Sequence, residues 1–261
     1  IEIHNRPEYI KEIKRNFPTS KIIFYFHNDP NTLRGSKLYK EKQYINDNCQ
    51  IVFLSKWIKE KFEKKVYIKK ENPVIYPGVP KANFIKKEKI ILFCGKLNHA
   101  KGYDIFTEAT KRLKKIKKYS EWKIISAGHE SRRVIPSENH IEELGQIPNK
   151  EVFKIYNKAL ISIAPSTWPE PLGRLPIESS AHGCIPITSN RGGLPETNKN
   201  GFILKNNSSS ELFNLLLKIL SNKKKLLNLS RKVHKNFNFT DKVFLKSISK
   251  IRGREKNFKK I

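Results

Sequence analysis

Short runs of consecutive apolar residues alternate along this chain with segments in which apolar residues recur every three or four positions. The runs at residues 21–27 (KIIFYFH) and 50–54 (QIVFL) predict buried strands. Residues 55–65 have helical spacing and begin with Ser55, a residue type favoured at helix N-caps. Alternation of strands and helices is typical of a parallel sheet with helices on its faces. We therefore predict an α/β fold.

A second and longer series of the same kind begins at residue 90. Residues 77–89 contain two prolines, one glycine and little apolar periodicity, so we place a hinge between two lobes there. The strands predicted after it are 90–94, 122–127, 160–164 and 185–189. The helices predicted after it are 103–115, 149–157, 175–182, 210–220 and 224–237. These elements make a complete doubly wound lobe with a Rossmann-like parallel sheet.

The residues before the hinge supply only two or three strands, so the first lobe is expected to be incomplete. We predict three parts, namely residues 1–80, 81–240, and a C-terminal helix and tail at 241–261, with the polar end after residue 252 expected to fray. The sequence of 261 residues contains no methionine, not even at position 1. We therefore expect a piece of a longer, N-terminally truncated protein.

The formal net charge of +29 raises the question of an anionic partner. Lysines outnumber arginines 42 to 11 and are dispersed, and no RNP, zinc-finger or helix-turn-helix motif accompanies them. We therefore expect no nucleic-acid partner. Two explanations of the charge stay open, which are binding to an anionic membrane surface and a lysine-biased composition alone.

The cysteine pattern and the hydropathy of the chain bear on its compartment. Cys49, Cys94 and Cys184 are odd in number and far apart, which indicates neither a disulfide framework nor a zinc site. We find no apolar run of about 18 residues and no signal-peptide layout. The expected location is cytoplasmic, and this expectation includes peripheral binding at the inner face of the cell membrane.

The richest candidate chemistry lies in residues 164–196. Glu170 and Glu178 flank a loop containing Leu172 and Gly173, which follows a predicted strand and leads into a helix. Ligands of open α/β sheets bind at this edge, where helix N-termini offer free N–H groups to anions. The backbone near Leu172 and Gly173 can bind a diphosphate, and the carboxylates can accept hydrogen bonds from sugar or ribose hydroxyls. Taken alone, each glutamate is better explained as a structural residue; together with the neighbouring glycines, they favour a binding site.

A second candidate group follows the predicted strand at 90–94. It consists of Gly95, Lys96, Lys101 and Gly102 in the segment GKLNHAKG. A glycine turn with two cations before a helix can clamp a diphosphate. The segment lacks the order of a Walker loop, and lysines are common in this chain, so the group is a weak signal by itself.

Taken together, these segments resemble the retaining nucleotide-sugar glycosyltransferases of the GT-B type, specifically glycosyltransferase family 4. The resemblance covers roughly residues 90–204 and is weaker over residues 4–79. The segments that carry it are FCGKLNHAKGYDIFTEA, SAGHE, LGQIPNKEVFKIYNKA and PSTWPEPLGRLPIESSAHGCIPITSNRGGLPE. The last is the most specific, because it contains two glutamates separated by seven residues and a GGxPE turn.

The resemblance implies a role for each side chain of the two groups. It makes residues 81–240 the lobe that binds the nucleotide sugar and residues 1–80 part of the acceptor-side lobe. It implies that Glu170 contacts hydroxyls of the transferred sugar, that Glu178 holds the ribose, and that Lys96 and Lys101 neutralise the diphosphate. The family usually has arginine where Lys96 stands, so a bidentate phosphate contact is replaced here by a point charge.

Backbone atoms and histidines complete the implied site. Backbone N–H groups around Leu172 and Gly173 assist at the diphosphate, and main-chain atoms near Gly128 and Ile147 flank the base. The histidines and the arginine implied to contribute are His27 near the donor, His129 in a loop facing the donor, and His4 and Arg6 near the acceptor. A structural role for His27 is an equally weighted alternative.

The expected reaction is transfer of a hexosyl-type sugar from a nucleotide-diphosphate sugar to a cell-envelope glycan or glycolipid, such as lipopolysaccharide. The enzyme stabilises the charge that grows on the departing diphosphate. The sequence has no DxD element at a strand end and no metal-ligand spacing, so we expect no metal and no cofactor. No residue is an evident covalent nucleophile, which favours front-face attack with the retention that the family implies. The alternatives are a non-catalytic basic module that binds nucleic acid or membrane, and another two-lobed sugar enzyme.

Overall fold

The computed structural model describes residues 1–132 and 134–253, which form two compact units. The first unit comprises Ile1–Gly78 and the chain from Asp241 onward, and the second comprises Val79–Thr240. The strands in chain order are β1 (Glu2–His4), β2 (Ile23–Phe26), β3 (Gln50–Phe53), β4 (Glu88–Cys94), β5 (Lys123–Ala127), β6 (Glu142–Glu143), β7 (Ala159–Ala164), β8 (Ile185–Ser189) and β9 (Phe202–Leu204). The helices are α1 (Ile10–Asn16), α2 (Tyr39–Asn48), α3 (Lys56–Glu63), α4 (Tyr103–Lys114), α5 (Asn149–Lys158), α6 (Arg174–Ala181), α7 (Leu194–Thr197), α8 (Ser209–Leu220), α9 (Lys223–Lys235) and α10 (Asp241–Arg252).

The first unit is built on a parallel three-stranded sheet in the order β1-β2-β3. All four residues of β2 are buried, and its alternate side chains pack on opposite faces. Phe24 and Phe26 pack against the helices of one face, whereas Ile23 and Tyr25 pack against Ile248 of α10. The C-terminal helix, which the sequence analysis separates from both lobes, therefore packs on the sheet of the first unit, where its apolar face is removed from water.

The second unit contains a six-stranded parallel sheet in the order β6-β5-β4-β7-β8-β9. Strand β4 shows why both faces are covered. Ile91 and Phe93 belong to the core shared with α4, α8 and α9, whereas Ile90 and Leu92 belong to the core shared with α5. A central strand that is apolar on both faces needs helices on both sides, which is the doubly wound arrangement.

The strand order creates a topological switch point between β4 and β7. From β4 the chain proceeds to β5 and β6 on one side, and then returns to β7, β8 and β9 on the other. Loops that leave the carboxyl ends of two such strands diverge and open a crevice between them, where ligands of open α/β sheets bind. The loops at this point are residues 95–102 and 165–173.

Six helices and strands have no counterpart among the predicted elements, and several boundaries differ from those predicted. Strands β1, β6 and β9 and helices α1, α2 and α7 were not predicted, and α6 begins at Arg174 instead of residue 175. The missed strands are two or three residues long and lie at or near sheet edges, where few side chains are buried. Helix α10 extends to Arg252, and residues 254–261, for which fraying was predicted, lie outside the described residues. Among the described helices, none combines the length and the apolar character needed to span a membrane.

Candidate functional site

The loop after β4 is shaped by one asparagine and one glycine. The Asn98 side chain accepts the N–H of Lys101 at 3.1 Å and caps a 3-10 helix at His99–Lys101. Gly102 follows with φ +69°, and a Cβ built there would lie 2.0 Å from the carbonyl oxygen of Pro165. Only glycine allows this approach. The loop after β4 therefore lies directly against the loop after β7.

Hydrogen bonds join these two loops at the switch point. The Thr167 hydroxyl donates to the carbonyl of His99 at 2.8 Å, and the backbone N–H groups of Thr167 and Trp168 both donate to the carbonyl of Ala100 at 3.1 Å. These bonds fix the chain immediately before Lys101 against the chain that leads to Glu170. As a result, Nζ of Lys101 lies 2.9 Å from Oε1 of Glu170.

Glu170 is held by both its side chain and its main chain. Its carboxylate is 17% exposed and also accepts the hydroxyl of Ser166. Its carbonyl oxygen accepts the N–H of Gly193 at 2.6 Å, from the turn that follows β8. Gly192 in that turn has φ +61°, and a Cβ there would lie 2.1 Å from the same carbonyl oxygen. Three strand-end loops thus converge on Glu170.

The segment after Glu170 leads into α6. Gly173 is buried at the N-cap position, and its carbonyl oxygen accepts the hydroxyl of Thr197 at 2.8 Å. Leu172 is partly exposed. The N–H groups at the start of a helix have no partner within the helix and carry its positive dipole end. The main chain around Leu172 and Gly173 therefore offers donors suited to an anion.

Glu178 lies one turn into α6 and is paired with Arg174. The Arg174 guanidinium donates from Nε at 3.1 Å and from a terminal nitrogen at 2.9 Å, both to Oε1 of Glu178. The Glu178 side chain is 17% exposed, and its burial raises the pKa of the carboxyl above its ordinary value although Arg174 opposes the shift.

The environment beneath Glu178 is apolar. Tyr156 is completely buried, and burial raises its pKa well above the ordinary value. Burial also raises the pKa of the Cys94 thiol to about 11. These groups remain neutral at physiological pH and make a surrounding of low dielectric constant. A hydrogen bond that a ligand hydroxyl donates to Glu178 would be strengthened there.

The loop after β5 adjoins the loop after β4 through two glycines. A Cβ at Gly128 would lie 1.8 Å from the carbonyl oxygen of Gly95, and the N–H of Gly128 donates to Gly145 at 2.8 Å. Glu130 accepts the Asn98 amide at 2.7 Å, and this bond lowers the pKa of the Glu130 carboxyl. Ile147 lies between β6 and α5, partly buried, with its side chain packed against the core that contains Tyr156.

The structure therefore brings some of the predicted residues together. Lys101 and Glu170 are in direct contact, and Leu172 and Gly173 follow in the same loop. Lys96 is exposed, and its side chain has no ion pair or hydrogen bond with the part of the chain that the structure describes. His129 is also exposed.

The remaining predicted residues belong to the first unit. His27 follows β2 and is half-buried, whereas His4 ends β1 and is exposed. Nδ1 of His4 and Nε2 of His27 are 2.8 Å apart. Arg6 is 65% exposed, and its guanidinium lies 3.6 Å from the carboxylate of Glu8.

Sequence reasoning missed four residues that organise the site, which are Asn98, Glu130, Ser166 and Arg174. Two of them could have been predicted from their spacing in the sequence. Asn98 precedes Lys101 by three residues, the spacing of a helix cap, and Arg174 precedes Glu178 by four, the spacing of a helical ion pair. The other two are brought in by contacts within or between loops. In residues 1–132 and 134–253, no three His, Cys, Asp or Glu side chains are grouped so as to hold a metal ion.

Comparison with known proteins identifies the family and the fold of the chain. Residues 79–236, more than half of the chain, match the family model described as Glycosyl transferases group 1. The chain is 26% identical to YtcC of Bacillus subtilis over 76% of its own length, and 20% identical to the lipopolysaccharide 1,2-N-acetylglucosaminetransferase of Salmonella typhimurium over 75%. It spans 57% and 56%, respectively, of the lengths of these relatives.

A solved structure shows the same fold. The chain superposes on Anabaena Alr3699/HepE, crystallised in complex with UDP-glucose, with a TM-score of 0.76 and 16% identity. The match covers 97% of this chain and 78% of the other. At this identity the likeness is one of fold, and it confirms the α/β, GT-B-type architecture with parallel sheets.

Proposed function

The chain belongs to the glycosyl transferases group 1 family, and we propose that it takes part in transferring a sugar from a nucleoside diphosphate sugar to a cell-envelope glycan or glycolipid, with retention of configuration. The observation that carries the proposal is the contact of Lys101 with Glu170 at the β4–β7 switch point, directly before the start of α6. The cation and the helix N–H groups at this sheet edge suit the diphosphate of such a donor, and the carboxylate suits the hydroxyls of its sugar.

The diphosphate is proposed to bind between Lys101 and the N–H groups around Leu172 and Gly173. As the sugar–phosphate bond breaks, negative charge grows on the departing diphosphate, and fixed positive groups lower the barrier. Lys96, on the same loop, adds a second charge from the solvent side. Glu170, held in place from three loops, is proposed to accept hydrogen bonds from hydroxyls of the transferred sugar.

The nucleoside is proposed to bind beside α6 and the loop after β5. Arg174 occupies Oε1 of Glu178. Oε2 is thereby left to accept a ribose hydroxyl, in surroundings that strengthen the bond. The main chain near Gly128 and Ile147 is proposed to flank the base. His27 is proposed as the contribution of the first unit to the reaction, on the basis of the sequence resemblance.

The reaction is proposed to need no metal ion, because Lys101 and the helix N–H groups supply the positive charge at the leaving group. Transfer measured in the presence of EDTA should equal transfer in its absence. An activity that EDTA abolishes and that Mg²⁺ or Mn²⁺ restores would contradict this part of the proposal.

The donor is best identified by a binding screen. We would measure the thermal stability of the chain with UDP, GDP and ADP and with their glucose, N-acetylglucosamine and mannose derivatives. One nucleotide series should raise the melting temperature, since a ligand that binds the folded state alone stabilises it. No response to any nucleotide, together with tight, salt-dependent binding to short duplex DNA, would instead support a non-catalytic basic module.

The roles of the two glutamates can be separated with matched variants. Glu178→Ala should weaken binding of the selected nucleoside diphosphate, whereas Glu170→Ala should leave that binding near wild type and lower transfer from the intact sugar nucleotide. Glu108→Ala, at an exposed position of α4, is the control for removal of one negative charge. Wild-type binding and turnover in both site variants would remove the assignment.

The acceptor is proposed to lie in the cell envelope, reached by peripheral binding of the basic chain to an anionic membrane surface. Each lysine near such a surface contributes at most about 1 kcal/mol. Sedimentation with vesicles should therefore require anionic lipid and weaken as salt is added. Equal binding to neutral vesicles would assign the charge to lysine bias alone.

A further inference from the structure

Two histidines that are far apart in the sequence form a hydrogen-bonded pair in the first unit. His4 ends β1 and His27 follows β2, and the parallel register of these strands pairs His4 with Tyr25, two residues before His27. Nδ1 of His4 lies 2.8 Å from Nε2 of His27, with ring centroids 5.1 Å apart. This distance requires one hydrogen between the two nitrogens, because two lone pairs or two N–H groups would repel.

The surrounding groups hold both rings in place. His4 stacks on Tyr25 with centroids 4.4 Å apart and planes 4° from parallel. The backbone N–H of His27 donates to the side chain of Asn5 at 2.9 Å, and the N–H of Asn5 donates to the carbonyl of Tyr25 at 3.1 Å. The pair is thus a fixed arrangement at the carboxyl ends of β1 and β2.

The two rings differ in their access to water. His4 is exposed and His27 is half-buried, so water hydrates the His27 ring less fully and stabilises a charge on it less. Burial, and then the nearby His4, lower the pKa of His27. Glu2, a carboxylate that interacts electrostatically with His4, accepts the hydroxyl of Tyr25 and is bound at 2.6 and 2.7 Å by Arg252, which already compensates its charge.

We propose that His4 is a positioning residue for His27: its Nδ1 hydrogen-bonds Nε2 of His27 and thereby fixes the orientation of that ring and the nitrogen that carries its hydrogen. When Nδ1 of His4 carries the shared hydrogen, it donates to Nε2 of His27, and the neutral His27 ring carries its own hydrogen on Nδ1. His27 then presents one defined donor. The consequence for transfer rests on the function proposed above for His27, whereas the pairing does not.

Nuclear magnetic resonance of the ¹⁵N-labelled imidazole rings tests the pairing without any substrate. At neutral pH we expect His27 to show the nitrogen shifts of a neutral ring with hydrogen on Nδ1 and a hydrogen-bonded Nε2. Substitution of His4 by Phe keeps an aromatic ring on Tyr25 but removes the hydrogen bond, so His27 should change its tautomer distribution. His27 shifts that stay unchanged in His4→Phe would overturn the proposal.

Transfer kinetics test the positioning role. His4→Phe should lower kcat about tenfold, with little change in KM for the donor selected by the screen. A tenfold loss is the low end of the usual effect of removing a group that orients a functional histidine. His4→Gln, whose amide can still bond Nε2, should recover most of this loss. Unchanged kcat in His4→Phe would overturn the role of His4 while leaving the proposed function intact. If His4→Phe does not fold, His4→Asn and His4→Gln are compared by the same resonance measurement.

Discussion

Substitution of Gly192 by alanine tests whether the position of Glu170 controls the reaction. A Cβ at residue 192 would lie 2.1 Å from the carbonyl oxygen of Glu170, whereas real Cβ contacts essentially never fall below 3.0 Å. The Glu170 backbone must therefore move by about 1 Å. Displacements of that size at a substrate-positioning group cost about 100-fold in rate. We expect kcat/KM for the selected donor to fall by about this factor.

The matched control is Gly253→Ala. Gly253, which follows α10, has φ +71°, close to the +61° of Gly192, but no atom of the described residues lies within 4 Å of a Cβ built there. Both variants should lose about 1 kcal/mol of stability from the left-handed backbone, and Gly192→Ala should lose more because its Cβ meets the Glu170 main chain; chemical denaturation measures both. Only Gly192→Ala should lose activity as well. Equal activities in the two variants, or full activity in Gly192→Ala, would refute the link between this turn and Glu170.

Three further substitutions test individual contacts. Lys101→Met should weaken binding of the nucleoside diphosphate about 30-fold in calorimetry, as expected for loss of a hydrogen bond from a charged group. Lys96→Met, at the exposed lysine of the same loop, should weaken this binding about fivefold. A larger loss for Lys96→Met than for Lys101→Met would contradict the proposed clamp. Glu178→Gln should raise the melting temperature by about 2 °C at pH 7 to 8, because a raised carboxyl pKa means that the ionised form destabilises the fold. This gain should vanish as the pH falls below the ordinary carboxyl value, and a gain that persists at pH 4 would contradict the reasoning. The Lys87 ammonium donates to three carbonyl oxygens at the ends of α5 and α6, at 3.0, 2.7 and 2.5 Å. Lys87→Met should therefore destabilise the chain by about 3 kcal/mol in urea denaturation. A loss below about 1 kcal/mol would show that water can replace the ammonium as hydrogen-bond donor.

The central strands of the second unit could be predicted because their apolar runs have one explanation. The prediction of a strand at 185–189 is confirmed to the residue, and the one at 160–164 differs by a single position. Every residue of both strands is buried, so the sequence has no polar face there that could suggest another structure. Strand β1, in contrast, buries only Ile3 between two exposed residues, a pattern too short to distinguish from a loop.

The packing of α10 on the first unit could not be predicted by local reasoning. Its apolar residues show helical periodicity, which indicates that one face is buried but not what covers it. Ile248 packs with Ile23, Tyr25 and Val52, which are about 200 positions earlier in the chain. Long-range contacts of this kind leave no periodic trace in the sequence.

Of the two ion pairs in the candidate site, one could be predicted from the sequence and the other could not. Arg174 and Glu178 are four residues apart on one helix, so their contact follows from helical geometry once α6 is recognised. Lys101 and Glu170 are on different loops. Their contact depends on Gly102 and Gly192, because a Cβ at either position would collide with the main chain of the loop after β7. A motif search finds the glutamates, but the glycines decide where they lie. This is why Gly192→Ala, at a residue that carries no reactive group, is the sharper test of the site.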